Sequence, residues 1–182
     1  MKKYFAAIIL LLATITAFAQ AKHTITKSSV KFQIKNLGVM VEGSFSGVKG
    51  DILFDPQHLD ASKIEASIDA KTVNTDNESR DHHLESDSYF DAEKYPAITI
   101  KSVSFKHKSG DSYSGTFSLT IKDKTNQVEL PFTYTEAGNT AAFKGTLKIK
   151  RTDYGVGGKS LVMSNDVTIT IEVETSKGDT SK

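Results

Sequence analysis

From residue 30 to residue 173 apolar and polar positions alternate with a period of two, the mark of strands that bury one face and expose the other. Val30, Phe32 and Ile34 open the series, followed by Val39, Val41, Gly43 and Phe45, then Gly50, Ile52 and Phe54 before the turn at Asp55-Pro56. Ile64, Ala66, Ile68 and Ala70 repeat the pattern. Ile98 and Ile100 lie on one parity and Val103 and Phe105 on the other, which predicts a bulge near Lys101 or Ser102. Tyr113 to Ile121, Val128 to Tyr134, Phe143 to Ile149 and Val167 to Val173 complete the run, with turn signals at 109–111, 122–127 and 137–139. Eight or nine strands joined mostly by short turns predict an all-β fold. The first expectation is an eight-stranded antiparallel up-and-down barrel, since closure removes the sheet edges. A two-sheet sandwich is the alternative.

One stretch breaks the alternation. Residues 71–97 form a long connection, and loops of that length in compact domains are functional or structured. Thr75-Asp76-Asn77-Glu78 fits a capping box that starts a short helix through about Glu85, with Arg80, His83 and Leu84 on one face. Tyr89 and Phe90 then offer apolar anchors, and Tyr95-Pro96 leads into the next strand. The segment reads as a helical cap over one barrel end.

The ends of the chain stand apart from the pattern. Lys2 and Lys3, an apolar stretch from Phe5 to Ile15, and Ala17-Phe18-Ala19 predict a cleaved signal peptide over residues 1–19, hence a periplasmic or secreted protein with no stable membrane span after cleavage. The barrel domain is expected over residues 20–175, and Ser176 to Lys182 as a frayed polar tail. Lys and Arg number 23 against 22 Asp and Glu, a balance that disfavours nucleic acid or an anionic membrane surface as the main partner. The absence of cysteine excludes disulfides, thiolate metal sites and cysteine nucleophiles, so an exported fold must be held by its core.

Small residues in phase with the inward positions (Gly43, Gly50, Ala66, Ala70, Gly115 and Gly145) are read two ways: they open a bore for a ligand, or they let strands bend. Catalytic signals are poor. Gly43-Ser44-Phe45-Ser46-Gly47 carries Phe45 where a nucleophile elbow needs a nucleophile, and the run ending Gly158-Lys159-Ser160 lacks the first glycine and the following helix of a P-loop. His82 and His83 are adjacent and diverge on a helix, so no metal site is expected.

The run Arg80-Asp81-His82-His83-Leu84, with Ser86, Tyr89-Phe90-Asp91 and Tyr95-Pro96, resembles the signature of the YceI-like family of lipocalin-like, polyisoprenoid-binding proteins. Val41 to Phe45, Gly115 to Val128 and Lys150 to Gly155 agree in order, and the resemblance covers about residues 22–175. Asn126-Gln127 departs from the basic residue and proline usual in that family. The resemblance implies a lipocalin-like barrel outside the cytoplasm that holds an isoprenoid or similar amphiphilic lipid, needs no cofactor or metal, and belongs to a family whose members often form dimers, which admits a homodimer here. The expected function is therefore a lipid carrier or reservoir and not an enzyme. The inward lipid-contacting candidates are Phe32, Val41, Ile68, Ile100, Phe117, Leu119, Phe132 and Leu147, with Phe90 from the cap. Arg80, Arg151 and Lys159 are the candidates for an anionic head group. The rivals are a solid barrel acting through a protein partner and a hydrolase built on His83 or His107.

Overall fold

The computed structural model describes residues 22–178, so the signal-peptide segment and residues 179–182 lie outside the described residues. Nine strands are present: β1 (Lys22–Asn36), β2 (Val39–Phe45), β3 (Lys49–Leu53), β4 (Lys63–Asp69), β5 (Ala97–Ser109), β6 (Ser112–Ile121), β7 (Lys124–Ala137), β8 (Thr140–Lys150) and β9 (Met163–Lys177). Neighbours pair antiparallel in chain order from β3 to β9, and β9 pairs with β1. On its other side β1 meets β2 and β3 in a single register, Val30 opposite Phe45 and His23 opposite Ile52. β2 and β3 are thus one strand interrupted at residues 46–48, where Gly47 takes a positive φ of 72°. The result is a closed eight-stranded antiparallel barrel, and closure disposes of the sandwich alternative.

The alternation misplaces several boundaries for local reasons. β1 begins at Lys22, well before Val30, because a register shift between Ile25 and Lys27 flips its parity. His23 and Ile25 face inward on odd numbers, and Val30, Phe32 and Ile34 do so on even ones. The β5 irregularity falls between Ser102 and Ser104, which leaves Val103 bulged and exposed, one position beyond the expected site. The turn expected over 122–127 is only Lys122-Asp123, since Ile121 already pairs with Lys124. At the C-terminus β9 continues through Lys177, with Ser176 opposite Thr24 and the Gly178 N–H donating to the Lys22 carbonyl at 2.7 Å. Ser176 and Lys177 therefore belong to the barrel and not to a frayed tail.

Two positions show why the wall contains glycine. A Cβ on Gly115 would lie 2.3 Å from the Phe117 ring, which folds over it, and one on Gly50 would lie 2.2 Å from the Glu65 carbonyl oxygen of the neighbouring strand. Both serve close approach within the wall.

One end of the barrel is filled with aromatic rings. Phe54, 1% exposed, has the rings of Phe105, Tyr113, Phe132, Tyr134 and Phe143 around it at centroid distances of 4.7–5.7 Å. Most meet edge to face, the arrangement that ring quadrupoles favour. Buried His23 completes this floor: Nδ1 lies 2.9 Å from Thr175 Oγ1, which itself donates to the Ala141 carbonyl. Nδ1 must then carry the proton, leaving Nε2 buried without a hydrogen-bond partner among the described residues.

At the opposite end β7 and β8 separate. Their ladder begins at Phe132. The Tyr134 N–H points to the β6 side and donates to the carbonyl of Asp111, in the turn just before β6, so by alternation position 131 faces β8, and Pro131 has no N–H to offer. The gap is filled by a 3-10 turn at Arg151–Tyr154 and by Val156, packed with Leu130, Leu147 and Ile149.

Candidate functional site

Between the aromatic floor and the opposite end the strands enclose a cavity of about 400 Å³, within the range of small-molecule sites. Phe32, Val41, Ile68, Ile100, Phe117, Leu119, Phe132 and Leu147 all line it, as does Phe90. The wall also takes in Ile34, Phe45, Val167, Ile169 and Ile171, which share phase with those strands and were legible by the same alternation. Ala66 lines the cavity as the small residues of the sequence suggest, and Gly145 does too, whereas Gly43, Gly50 and Gly115 do not.

The cap is a helix, α1 (Glu78–Glu85), shorter at its start than expected. Asn77 and not Thr75 is its N-cap, accepting from the Arg80 N–H at 2.9 Å. The capping-box expectation fails because Thr75 is held elsewhere. Its N–H and hydroxyl donate to Asp81 Oδ1, while its hydroxyl accepts from Arg80 Nε at 2.7 Å and its carbonyl from Arg80 Nη2 at 2.7 Å. Asp81 and Arg80 are therefore joined through Thr75 and not as a direct ion pair. Thr75 is itself buried. Arg80 is exposed, lines the cavity and leaves Nη1 without a hydrogen bond among the described residues. His83 and Leu84 line the cavity beside it, and the His83 ring packs on Tyr89 with centroids 4.9 Å apart. After the helix, Phe90 meets Phe45 edge to face at 5.4 Å, and Phe45 meets Phe32 at 5.7 Å, an aromatic chain that ties the cap to the wall. The Gly157 N–H to the Ser88 carbonyl and Lys122 Nζ to the Asp87 carbonyl, both 2.9 Å, hold the cap to the neighbouring loops.

The other two head-group candidates part company with Arg80. Arg151 is 4% exposed, and its guanidinium donates to the carbonyls of Ser164, Val156 and Gly158, each at 2.9 Å, and more weakly to Met163 O and Asn165 Oδ1. Although Arg151 touches the cavity, its donors are spent on folding the 155–165 loop around it. Lys159 sits exposed in that loop and does not line the cavity.

The lining is thus mostly apolar, and Thr75, Arg80 and His83 bring polar groups to it from the cap. Such a lining can sequester an apolar chain and meet an anionic or polar head. His83 is the one histidine on the wall among the described residues, and the buried Thr75 hydroxyl is engaged by Asp81 and Arg80. His107 lies off the wall, its Nε2 at 2.8 Å from the Gly110 carbonyl. Among the described residues no cluster of three or more histidine or carboxylate side chains is placed to hold a metal ion, and no helix is long and apolar enough to cross a membrane.

Comparison with known proteins agrees with this architecture. The chain is 32% identical over 152 residues to a UPF0312 protein of Yersinia pestis, covering 80% of this chain and 79% of that protein. Among solved structures it is similar to BcnA of Burkholderia cenocepacia, with a TM-score of 0.79, 28% identity, and coverage of 84% of this chain and 98% of that one. It shares its fold with a polyisoprenoid binding domain from Saccharophagus degradans, implicated in plant cell wall breakdown, with a TM-score of 0.70, 16% identity and coverage of 87% and 99%. The YceI-like domain matches residues 22–175, nearly the whole described barrel, and the chain belongs to the YceI-like family.

Proposed function

We propose that the barrel holds a long-chain amphiphilic lipid of the isoprenoid class, as a carrier or reservoir outside the cytoplasm. The observation that carries this reading is the apolar cavity of about 400 Å³ with an uncommitted Arg80 Nη1 at its cap end. The polyisoprenoid binding domain that shares the fold supports the same ligand class. Burying about 300 Å² of chain at about 25 cal/mol per Å² supplies about 7 kcal/mol, a micromolar affinity before the head group contributes. Arg80 then adds a charge-assisted bond to an anionic head.

The test is organic extraction of the purified protein with mass spectrometry, followed by refilling of the delipidated protein with an isoprenoid alcohol and its monophosphate. Both ligands bind in the expected result, and Arg80→Gln weakens the phosphate about tenfold while leaving the alcohol unchanged. Ala66→Phe, which places a ring in the cavity, abolishes both. Protein that carries no lipid and takes up neither ligand refutes the proposal.

A further inference from the structure

Six large apolar side chains are strongly exposed among the described residues, and five of them lie together. Leu37, Val39 and Met40 form the β1–β2 turn and the start of β2, while Leu161 and Val162 lie in the loop that enters β9. The Leu37 N–H donates to the Val162 carbonyl at 2.9 Å, and Asn36 pairs with Met163, so the two loops form one surface. That surface is continuous with the cavity, because Ile34, Asn36, Val41 and Met163 line the cavity and flank the exposed residues directly.

Leu37 carries a second signal. With Gly38 it forms a two-residue turn in which both φ values are positive, 51° and 80°. Such turns favour Asn or Asp at the first position, and a bulky apolar residue there is strained. This chain keeps leucine at that place with the side chain 73% exposed, so local backbone preference does not account for it. The charge is one-sided as well. Residues 35–41 and 157–163 contain Lys35 and Lys159 and no carboxylate, and neither lysine has an ion-pair partner among the described residues.

We infer that this apolar, lysine-flanked rim docks on the surface of an anionic phospholipid bilayer, so that the cavity mouth opens against lipid and not against water. The inference rests on the lipid-binding reading, which supplies the reason for a bilayer rather than a protein at this mouth. The rim side chains enter the boundary between head groups and acyl chains, and the lysines meet lipid phosphates.

Co-sedimentation of the full mature protein with vesicles tests it, using phosphatidylcholine alone and phosphatidylcholine containing phosphatidylglycerol. Wild type is expected to sediment with the mixed vesicles, less so at high salt. Leu37→Asn is expected to weaken sedimentation about three- to tenfold, as is Leu161→Ser. Leu37→Asn suits the turn, so its melting temperature should equal or exceed that of wild type, which separates lost docking from lost folding. Isoprenoid uptake in solution should be unchanged in both variants, and that measurement reports on the cavity reading separately. Equal sedimentation of wild type and variants overturns the proposal, as does absence of sedimentation of wild type. A variant that changes oligomeric state in sedimentation velocity without changing vesicle association assigns the rim to a second copy of the chain and overturns it too.

Discussion

Replacing Arg151 separates a folding role from a ligand role in one experiment. Three of its bonds to backbone carbonyls are at 2.9 Å, and the residue is 4% exposed. Alanine would leave the Ser164, Val156 and Gly158 carbonyls without these donors, at about 1–3 kcal/mol for each one that stays dry. Part of the loop will relax and hydrate, so the summed loss is expected at about 3–5 kcal/mol, the scale for breaking a buried charged network. For a domain of this size that is a fall in melting temperature of about 6–20 °C. Lysine keeps the charge but not the planar fork that reaches Ser164 on one side and Gly158 on the other, so Arg151→Lys should lose about half as much. Urea unfolding followed by circular dichroism, with equal m-values for all three proteins, is the assay. If Arg151→Ala loses less than about 1 kcal/mol and instead loses affinity for an isoprenoid phosphate, the structural assignment is wrong and the head-group expectation is restored.

Two further predictions address the aromatic floor. Phe54→Ala removes the ring at its centre and should cost about 3–5 kcal/mol, with loss of near-ultraviolet dichroism; a cost below about 1.5 kcal/mol would show that the floor is not close-packed. Burial of the His23 ring, chiefly, and Lys177 nearby lower its pKa below the usual 6.5, against the Phe54 backbone and Glu136, which raise it. The unfolded chain then binds the proton more readily, so stability should fall as pH drops from about 6.5 toward the lower folded value and level off below it. The slope is at most about 1.4 kcal/mol per pH unit, and His23→Gln should remove it; the same slope in wild type and His23→Gln refutes the assignment.

The barrel was legible because alternation survives in every strand that closes it, and the inward candidates lie on the cavity wall because one parity faces one side. Legibility stopped where a single residue shifts the phase. The irregularity beside Thr26 hid the first half of β1, and Val103, apolar and on an apparently inward parity, is pushed out by its own bulge. The same limit applies to the charged candidates. Arg80 and Arg151 look alike in sequence, but one leaves a donor free beside the cavity and the other spends its donors on a loop four to fourteen residues downstream. No spacing rule distinguishes them, since carbonyl oxygens occur at every position. Thr75 reads as a cap by its neighbours in sequence, and only the path of the chain brings it to Asp81 and Arg80 instead.

The ring of aromatics around Phe54 gives the barrel a direction. Because that end is stopped, the vessel is blind, and whatever chain enters does so through the capped mouth and leaves by the same route. On the proposed lipid-binding reading, a lipid would go in tail first, with its head outermost. The floor also sets a zero point from which chain length is measured: short tails leave the upper bore unfilled, and long ones stand proud of the rim. The barrel would thus gauge its cargo by depth, a selectivity that depends on Phe54 as much as on the residues that touch the head.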